Sequence, residues 1–153
     1  MSIYFAYGSN MDPLHMSKRV PGAQAIGPGR LEGFRLVFNV YSSEWDGGAA
    51  NLELDGRAHA WGVLWDVPAE QESGLDAYQG HPTFFRREEV AVLGPAGQMI
   101  AWTHRVAHQE GYVRPTDPYL HCLHSAIRIH GVPPEALDII DRAARPPRPS
   151  IST

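Results

Sequence analysis

Cysteine and long apolar runs are both scarce in this chain of 153 residues. The single cysteine, Cys122, excludes an intrachain disulfide and fits a reducing compartment. No stretch approaches the roughly 20 apolar residues that a membrane-spanning helix requires. Residues 1–10 lack the basic and apolar regions of a signal peptide. We therefore expect a soluble, cytoplasmic protein that has no membrane partner.

The chain also lacks an excess of basic residues, and this argues against a nucleic-acid partner. The chain has 13 Lys and Arg against 17 Asp and Glu, which gives a formal net charge of −4. Nucleic-acid binding needs clustered basic residues, so we expect no nucleic-acid partner. Apolar residues make up 43% of the chain, which is enough for one globular domain with a full core. We place that domain at residues 1–145 and predict a disordered tail over residues 146–153.

Apolar alternation and turn residues predict more strands than helices. The Asp12-Pro13 and Asp117-Pro118 pairs are typical of helix starts, because aspartate caps a helix and proline fits its first position. Asp55-Gly56 is typical of a hairpin turn. The predicted strands are 3–6, 23–31 (bent or in two pieces), 35–40, 49–54, 58–67, 84–93 and 99–106, with a loop at 41–48. The predicted helices are 12–19, 68–80, 117–131 and 133–144.

This order of elements indicates the fold class. Most connections between strands are too short for the crossovers that parallel strands need. We therefore predict an α+β fold, in which a mainly antiparallel, curved sheet has helices to one side.

The turn Tyr7-Gly8-Ser9-Asn10 joins the first predicted strand to the first predicted helix. Such a turn offers unpaired N–H groups and the positive end of a helix dipole, so it can hold a carboxylate. It is not a phosphate loop of the Walker type, because no Gly-Lys-Ser/Thr follows. The simpler alternative, that the turn only connects two elements, is favoured by these residues alone, because such turns are common.

Several short motifs resemble, in the same order, those of the γ-glutamylcyclotransferase-like (AIG2-like) family. They extend over residues 2 to about 140, and their shared order along the chain argues against a chance match. The motifs are YFAYGSNM at 4–11, LEGFRLVF at 31–38, GGAAN at 47–51, WGVLW at 61–65, LDAYQG at 75–80, PYL at 118–120 and GVP at 131–133.

The resemblance implies a small mixed barrel with flanking helices and a pocket at one end. It also implies a reaction in which the α-amine of a γ-glutamyl group attacks its own γ-carbonyl, which yields 5-oxoproline and a free amine. It implies a small-molecule γ-glutamyl substrate and neither a metal nor a cofactor. The substrate-binding positions that it implies are Tyr7, Gly8, Ser9, Asn10, Met11 and Tyr119.

The family's catalytic glutamate falls on Gln79, and here the sequence departs from the pattern. A glutamine amide forms hydrogen bonds but does not titrate, so it cannot carry a proton between the two amines. Losing a general base typically costs roughly 10²- to 10⁴-fold in rate, although an intramolecular reaction keeps its advantage of orientation. Asp76, one helical turn earlier, and Glu89, on the next strand, are the candidate replacements.

Three interpretations of Gln79 are open at this stage. The protein is a binder of γ-glutamyl or related ligands without turnover, or it performs another reaction in the same pocket. The third interpretation is a deliberate exchange of glutamate for glutamine that traps a substrate. The sequence does not identify the amine half of a substrate or the oligomeric state.

The eight histidines raise the question of a metal site. His121, Cys122 and His124 lie close together on a predicted helix. Zinc requires three or four ligands, and the sequence has neither an HExxH motif nor a cysteine pair. We therefore expect no metal site.

Overall fold

A closed β-barrel forms the centre of the molecule. The computed structural model describes residues 2–79, 85–106 and 111–147, and within these ranges five strands close in the order β1-β3-β2-β4-β5. Their bounds are β1 Ser2–Ala6, β2 Gln24–Ser42, β3 Gly47–Val67, β4 Arg86–Gly94 and β5 Gly97–Arg105. In the described ranges the neighbouring pairs are antiparallel except β1 and β5, where Tyr4 pairs with Trp102 in parallel. The predicted α+β class and the mainly antiparallel barrel are confirmed.

Helices flank the barrel. The described residues contain α1 Pro13–Arg19, α2 Glu72–Gln79, α3 Asp117–Ile129 and α4 Glu135–Ala144, and short 3-10 turns at Ser9–Met11 and Ala69–Gln71. The predicted start of α1 is confirmed, since the Asp12 carboxylate accepts a hydrogen bond of 3.1 Å from the His15 N–H. In the described part of the chain, every helix is too short or too polar to cross a membrane.

The predicted hairpin at Asp55-Gly56 is wrong. Strand β3 runs through this point, and Glu32 pairs with His59 while Phe34 pairs with Leu54. Gly33, which has a φ of 84°, therefore faces the four residues 55–58 across a bulge. Both flanks continue to pair with the same neighbour, so the extra residues protrude without reversing the chain.

The chain reverses instead between Ser42 and Gly47. The four intervening residues form the turn, and Asp46 supplies a left-handed conformation with a φ of 51°. The predicted loop at 41–48 is thus shortened at both ends. The separate strands predicted on each side of it merge into two long, bent strands, β2 and β3.

The second helix also differs from its prediction. Pro68 precedes a 3-10 turn, and regular α-helix begins only at Glu72. Gln79 is the last described residue of the helix. The predicted cap Gly80 and the predicted strand residue Phe84 lie outside the described residues, as does the predicted tail from residue 148 onward.

Close packing of α1 against α2 positions the residues of the candidate site. A Cβ atom built on Gly74 would lie 2.1 Å from the carbonyl oxygen of Arg19. The glycine therefore lets the two backbones approach more closely than any side chain would permit. As a result, the end of α1 and the end of α2 reach the same edge of the barrel.

Candidate active site

A cavity of about 520 Å³ opens at the end of the barrel where β1 enters the first 3-10 turn. Five parts of the chain surround it: β1 with the segment that follows it, the β2–β3 turn with the adjoining strand ends, the end of α2, Phe85 before β4, and the start of α3. The lining residues are Tyr4, Ala6, Tyr7, Gly8, Ser9, Asn10, Val40, Tyr41, Ser42, Ser43, Glu44, Trp45, Ala49, Ala50, Ala77, Tyr78, Gln79, Phe85 and Tyr119.

Most of the residues singled out from the sequence meet at this cavity. Residues 7–10, Gln79 and Tyr119 all line it. Met11 does not: its N–H closes the 3-10 turn on the Gly8 carbonyl at 3.0 Å, and the residue is 0% exposed within the core. We therefore assign Met11 to packing, while the roles of the others as ligand contacts stay predictions.

Gly8 and Tyr119 form one wall of the cavity. The Ala50 N–H donates a hydrogen bond of 2.9 Å to the Tyr119 hydroxyl oxygen, which fixes the ring. A Cβ atom at Gly8 would lie 3.0 Å from that same oxygen. The absence of a side chain at Gly8 thus keeps the backbone of the turn open to the cavity.

Arg19, which the sequence did not single out, ties the turn to α2. Its guanidinium donates hydrogen bonds to Oδ1 of Asn10 and, at 3.4 Å, to Oγ of Ser9. It also lies 3.3 Å from the centre of the Tyr78 ring and 3.3 Å from a carboxylate oxygen of Glu44. The side chain is only 10% exposed, so this positive charge is held at the edge of the cavity.

Tyr4 is a second residue that the sequence analysis missed. It is 2% exposed, its hydroxyl lies 3.4 Å from Nδ1 of His104, and the side-chain amides of Asn10 and Gln79 are near enough to influence it. Burial raises the pKa of Tyr4 to about 12, against the opposing effect of the two amides.

Tyr7 and Tyr119 are also neutral phenols at physiological pH. Burial raises the pKa of Tyr7 well above its usual value, and it raises that of Tyr119 as well. The Tyr7 hydroxyl donates a hydrogen bond of 2.6 Å to the carbonyl oxygen of His104, which fixes this ring against β5.

Neither of the two carboxylates considered as replacements lines the cavity. Asp76 lies on the side of α2 that faces β4 and β5, where Nη2 of Arg87 and Nε2 of His104 approach it to 2.6 and 2.8 Å. Burial alone would raise the pKa of Asp76, but the hydrogen bonds from Arg87 and His104 hold this pKa below its usual value. Glu89 is exposed on β4. Of the described lining residues, Glu44 is the one that carries a carboxylate, and it pairs with Arg19.

Groups that could ligate a metal were compared among the described residues. Asp12, His15 and Cys122 place one ligand atom each within 4.8 Å of the others. Asp12 already caps α1, and burial raises the pKa of the Cys122 thiol to about 11, which disfavours the thiolate that a metal binds. The histidines considered from the sequence have other partners, since His124 pairs with Asp141 at 2.7 Å. We assign no metal role to either group.

A family comparison gives the relationship of this sequence to known proteins. Residues 4–121 match the family described as "Gamma-glutamyl cyclotransferase, AIG2-like". A bovine protein named gamma-glutamylcyclotransferase is 29% identical over 139 residues, which span 87% of this chain and 73% of the bovine one. A mouse protein of the same name is 34% identical over 82 residues, so the match spans 51% of this chain and less than half, 44%, of the mouse chain.

A solved structure gives a similar result at the level of the fold. A protein described as gamma-glutamyl cyclotransferase superimposes with a TM-score of 0.87 at 25% sequence identity. The superposition covers 99% of this chain and 92% of the other. The barrel and its flanking helices are therefore shared across nearly the whole of both chains.

Proposed function

The chain belongs to the gamma-glutamyl cyclotransferase, AIG2-like family, and from this premise we propose that it cleaves a γ-glutamyl amide or amine in the cavity described above. In this reaction the α-amine nitrogen of the glutamyl group forms a bond to the γ-carbonyl carbon. The bond from that carbon to the leaving amine nitrogen then breaks. One proton leaves the attacking nitrogen and one reaches the departing nitrogen, so that 5-oxoproline and a free amine result.

The observation that carries this proposal is the meeting of distant motifs at one cavity. The turn after β1, Gln79 at the end of α2 and Tyr119 on α3 are far apart in sequence and line the same space. All three segments belong to motifs on which the resemblance to the family rests. A cavity of about 520 Å³ has room for a glutamyl group together with part of its amine.

Each part of the cavity has a proposed role. The turn at 7–10 holds the glutamyl part through its N–H groups and the polar side chains of Ser9 and Asn10. The buried positive charge of Arg19 favours a carboxylate-bearing ligand at this edge. Tyr119 supports the same wall of the cavity, behind Gly8. No step in this scheme uses a cofactor, and the single cysteine fits a cytoplasmic site of action.

Gln79 makes the reaction slow in this proposal. The residue lines the cavity at the position of the family's acid/base, yet its amide does not titrate. This one feature favours a second candidate function, a protein that binds γ-glutamyl ligands without turnover. The two functions differ in whether the protein releases 5-oxoproline.

The test combines binding with product analysis. The protein is incubated with γ-glutamyl-alanine, glutathione and a γ-glutamyl-amine, and 5-oxoproline is measured by mass spectrometry, while titration calorimetry measures binding. Release of 5-oxoproline supports the enzyme and contradicts the binder. Binding without release, from this chain and also from Gln79→Glu, contradicts the cyclotransferase proposal.

A further inference from the structure

We propose that Tyr4, His104 and Asp76 form a proton relay that accepts and returns the proton which a carboxylate at position 79 would otherwise carry. This inference rests on the cyclotransferase function proposed above and names the groups that perform its proton transfer. Tyr4 is the member that lines the cavity and contacts the ligand. His104 and Asp76 act through it.

The three side chains come from β1, β5 and α2 and form a continuous chain of contacts. Nε2 of His104 lies 2.8 Å from Oδ1 of Asp76, and Nδ1 of His104 lies 3.4 Å from the Tyr4 hydroxyl. The His104 side chain is 0% exposed, so bulk water does not exchange its proton directly. The chain therefore leads from the cavity through a buried imidazole to the Asp76 carboxylate, which is 22% exposed between α2 and the barrel.

The chemistry of these groups fixes the direction of the hydrogen bonds. An ionised carboxylate only accepts, so Asp76 requires the proton of the imidazole to reside on Nε2. Nδ1 is then an acceptor, and the Tyr4 hydroxyl donates to it. A carboxylate that orients a histidine next to a hydroxyl group is the arrangement that enables proton transfer in Ser-His-Asp sites.

The charges around Asp76 suit a temporary imidazolium. Arg87 donates to both oxygens of Asp76, at 2.8 and 2.6 Å, and to Glu72 at 2.7 Å. Among the described residues of this ion-pair cluster, two carboxylates and one guanidinium give a net charge of −1, and Asp76 is the member that contacts His104. A proton arriving on His104 would therefore be partly neutralised instead of being buried alone.

The proton moves in two linked transfers. The α-amine of the ligand attacks in its neutral form, because an ammonium nitrogen has no lone pair. As this nitrogen bonds to the γ-carbonyl carbon, it passes one proton to the Tyr4 oxygen, and the original Tyr4 proton passes to Nδ1 of His104. When the bond to the departing amine breaks, His104 returns its proton to Tyr4, and Tyr4 gives a proton to the departing nitrogen. The relay ends in its starting state, so no net proton is consumed.

Other tyrosines at the cavity do not fit this role. The Tyr7 hydroxyl donates to the backbone carbonyl of His104, and the Tyr119 hydroxyl accepts from the Ala50 N–H. The Tyr78 hydroxyl lies 3.2 Å from Oγ of Ser9. Tyr4 is thus the described cavity tyrosine whose hydroxyl contacts an imidazole.

The relay also gives Gln79 a function. Its side-chain amide lies near the Tyr4 hydroxyl and lowers the pKa of Tyr4, against the effect of burial. As an amide donor, Gln79 stabilises negative charge that develops on the Tyr4 oxygen while the proton moves to His104. A glutamate at this position would repel that charge and would itself take the proton.

The test first replaces single members of the relay and then adds a carboxylate at position 79 that can carry the proton in place of the relay. We expect Tyr4→Phe and His104→Gln each to lower kcat for 5-oxoproline release about 10²-fold with KM nearly unchanged. Tyr112→Phe is the matched control, because it removes a tyrosine hydroxyl whose hydrogen bond goes to the Ala144 carbonyl, away from the cavity. Gln79→Glu added to Tyr4→Phe should restore kcat to within about tenfold of Gln79→Glu alone, since the new carboxylate replaces the relay.

The outcomes separate the relay from the function on which it rests. A folded Tyr4→Phe or His104→Gln with unchanged kcat overturns the relay. The relay is also overturned if a Tyr4→Phe, Gln79→Glu double variant binds ligand and remains inactive. In that case the new carboxylate does not replace Tyr4, so the role of Tyr4 is not proton transfer. If the parent chain releases no 5-oxoproline but Gln79→Glu does, the relay is wrong and the cyclotransferase function stands. If neither chain releases any, the function itself is wrong.

Discussion

Replacing Gln79 by glutamate is the perturbation whose result follows most directly from the cavity. The two side chains share shape and rotamers, so the carboxylate should occupy the place of the amide near Tyr4. Position 79 is the last described residue of α2, where the helix dipole disfavours an anion and raises the pKa of a carboxylate. A raised pKa suits a group that takes a proton and returns it near neutral pH.

The expected gain in rate follows from the general base that the cavity lacks at position 79. A positioned general base contributes roughly 10²- to 10⁴-fold in rate, which corresponds to about 2.7 to 5.4 kcal/mol at 1.36 kcal/mol per tenfold change. Because the Tyr4 relay already supplies part of this transfer, we expect the gain for Gln79→Glu to lie near the lower end, at about 10²-fold. An anion at a helix C-terminus costs about 0.3 to 1 kcal/mol, so the melting temperature should fall by no more than about 4 °C.

The assay is the initial rate of 5-oxoproline release at saturating γ-glutamyl substrate. Gln98→Glu is the matched control, because it introduces the same charge at an exposed position of β5 that does not line the cavity. The control should leave the rate within twofold of the parent. A folded Gln79→Glu that binds ligand and is no faster than the parent would refute the reasoning about this position.

Three further substitutions test the architecture of the cavity. Gly8→Val should abolish ligand binding in titration calorimetry while the protein still folds, because its Cβ would lie 3.0 Å from the Tyr119 hydroxyl and its branches would fill the space in front of the turn. Arg19→Lys should weaken ligand binding about tenfold. A lysine keeps the positive charge, but it loses the paired N–H donors of the planar guanidinium and its stacking on the Tyr78 ring. Gly74→Ala should destabilise the fold by 1 to 3 kcal/mol in urea unfolding, on the order expected for forced overpacking, because its Cβ would meet the Arg19 carbonyl at 2.1 Å.

Controls and contrary results differ among these three. Gly56→Val, at a position where a Cβ meets no heavy atom within 4 Å, should leave ligand binding unchanged. Unchanged ligand affinity in Gly8→Val would mean that the turn does not contact the ligand. If Arg19→Lys binds the ligand with full affinity, the guanidinium group of Arg19 does not contribute to ligand binding. An undiminished free energy of unfolding in Gly74→Ala would show that α1 and α2 can separate without cost.

The sequence predicted the parts of the site that depend on local chemistry. The end of β1, the turn at 7–10 and the Asp-Pro starts of α1 and α3 follow from rules that operate over a few residues. Gln79 was placed by resemblance alone, and it lies at the cavity with the turn. Met11 was predicted to bind substrate because it belongs to the motif at 4–11. Only the packed structure shows that its side chain lies in the core.

The residues that were missed depend on closure of the barrel. Arg19 resembled an ordinary basic residue in the last turn of a helix, and its contacts to Asn10 and Tyr78 exist only because α1 and α2 pack closely. Tyr4 and His104 are 100 positions apart and meet because β1 and β5 close the sheet. No local pattern carries that information.

The long strands show a similar limit. Glycines and prolines within residues 23–31 and the Asp55-Gly56 pair are typical of chain breaks. In the barrel, pairing with the neighbouring strand continues on both sides of these points, and the irregular residues become bulges. Tertiary hydrogen bonding thus overrides a local turn preference, because the flanking ladder makes many bonds that a reversal would lose.

The most direct measurement of the central proposal follows oxygen from the solvent into the product. The protein and Gln79→Glu are incubated with a γ-glutamyl substrate in water enriched in ¹⁸O, and the products are analysed by mass spectrometry. Intramolecular attack predicts 5-oxoproline that carries no solvent oxygen, released in equal amount with the free amine. Glutamate labelled with ¹⁸O would show that water attacks the γ-carbonyl and would contradict the account.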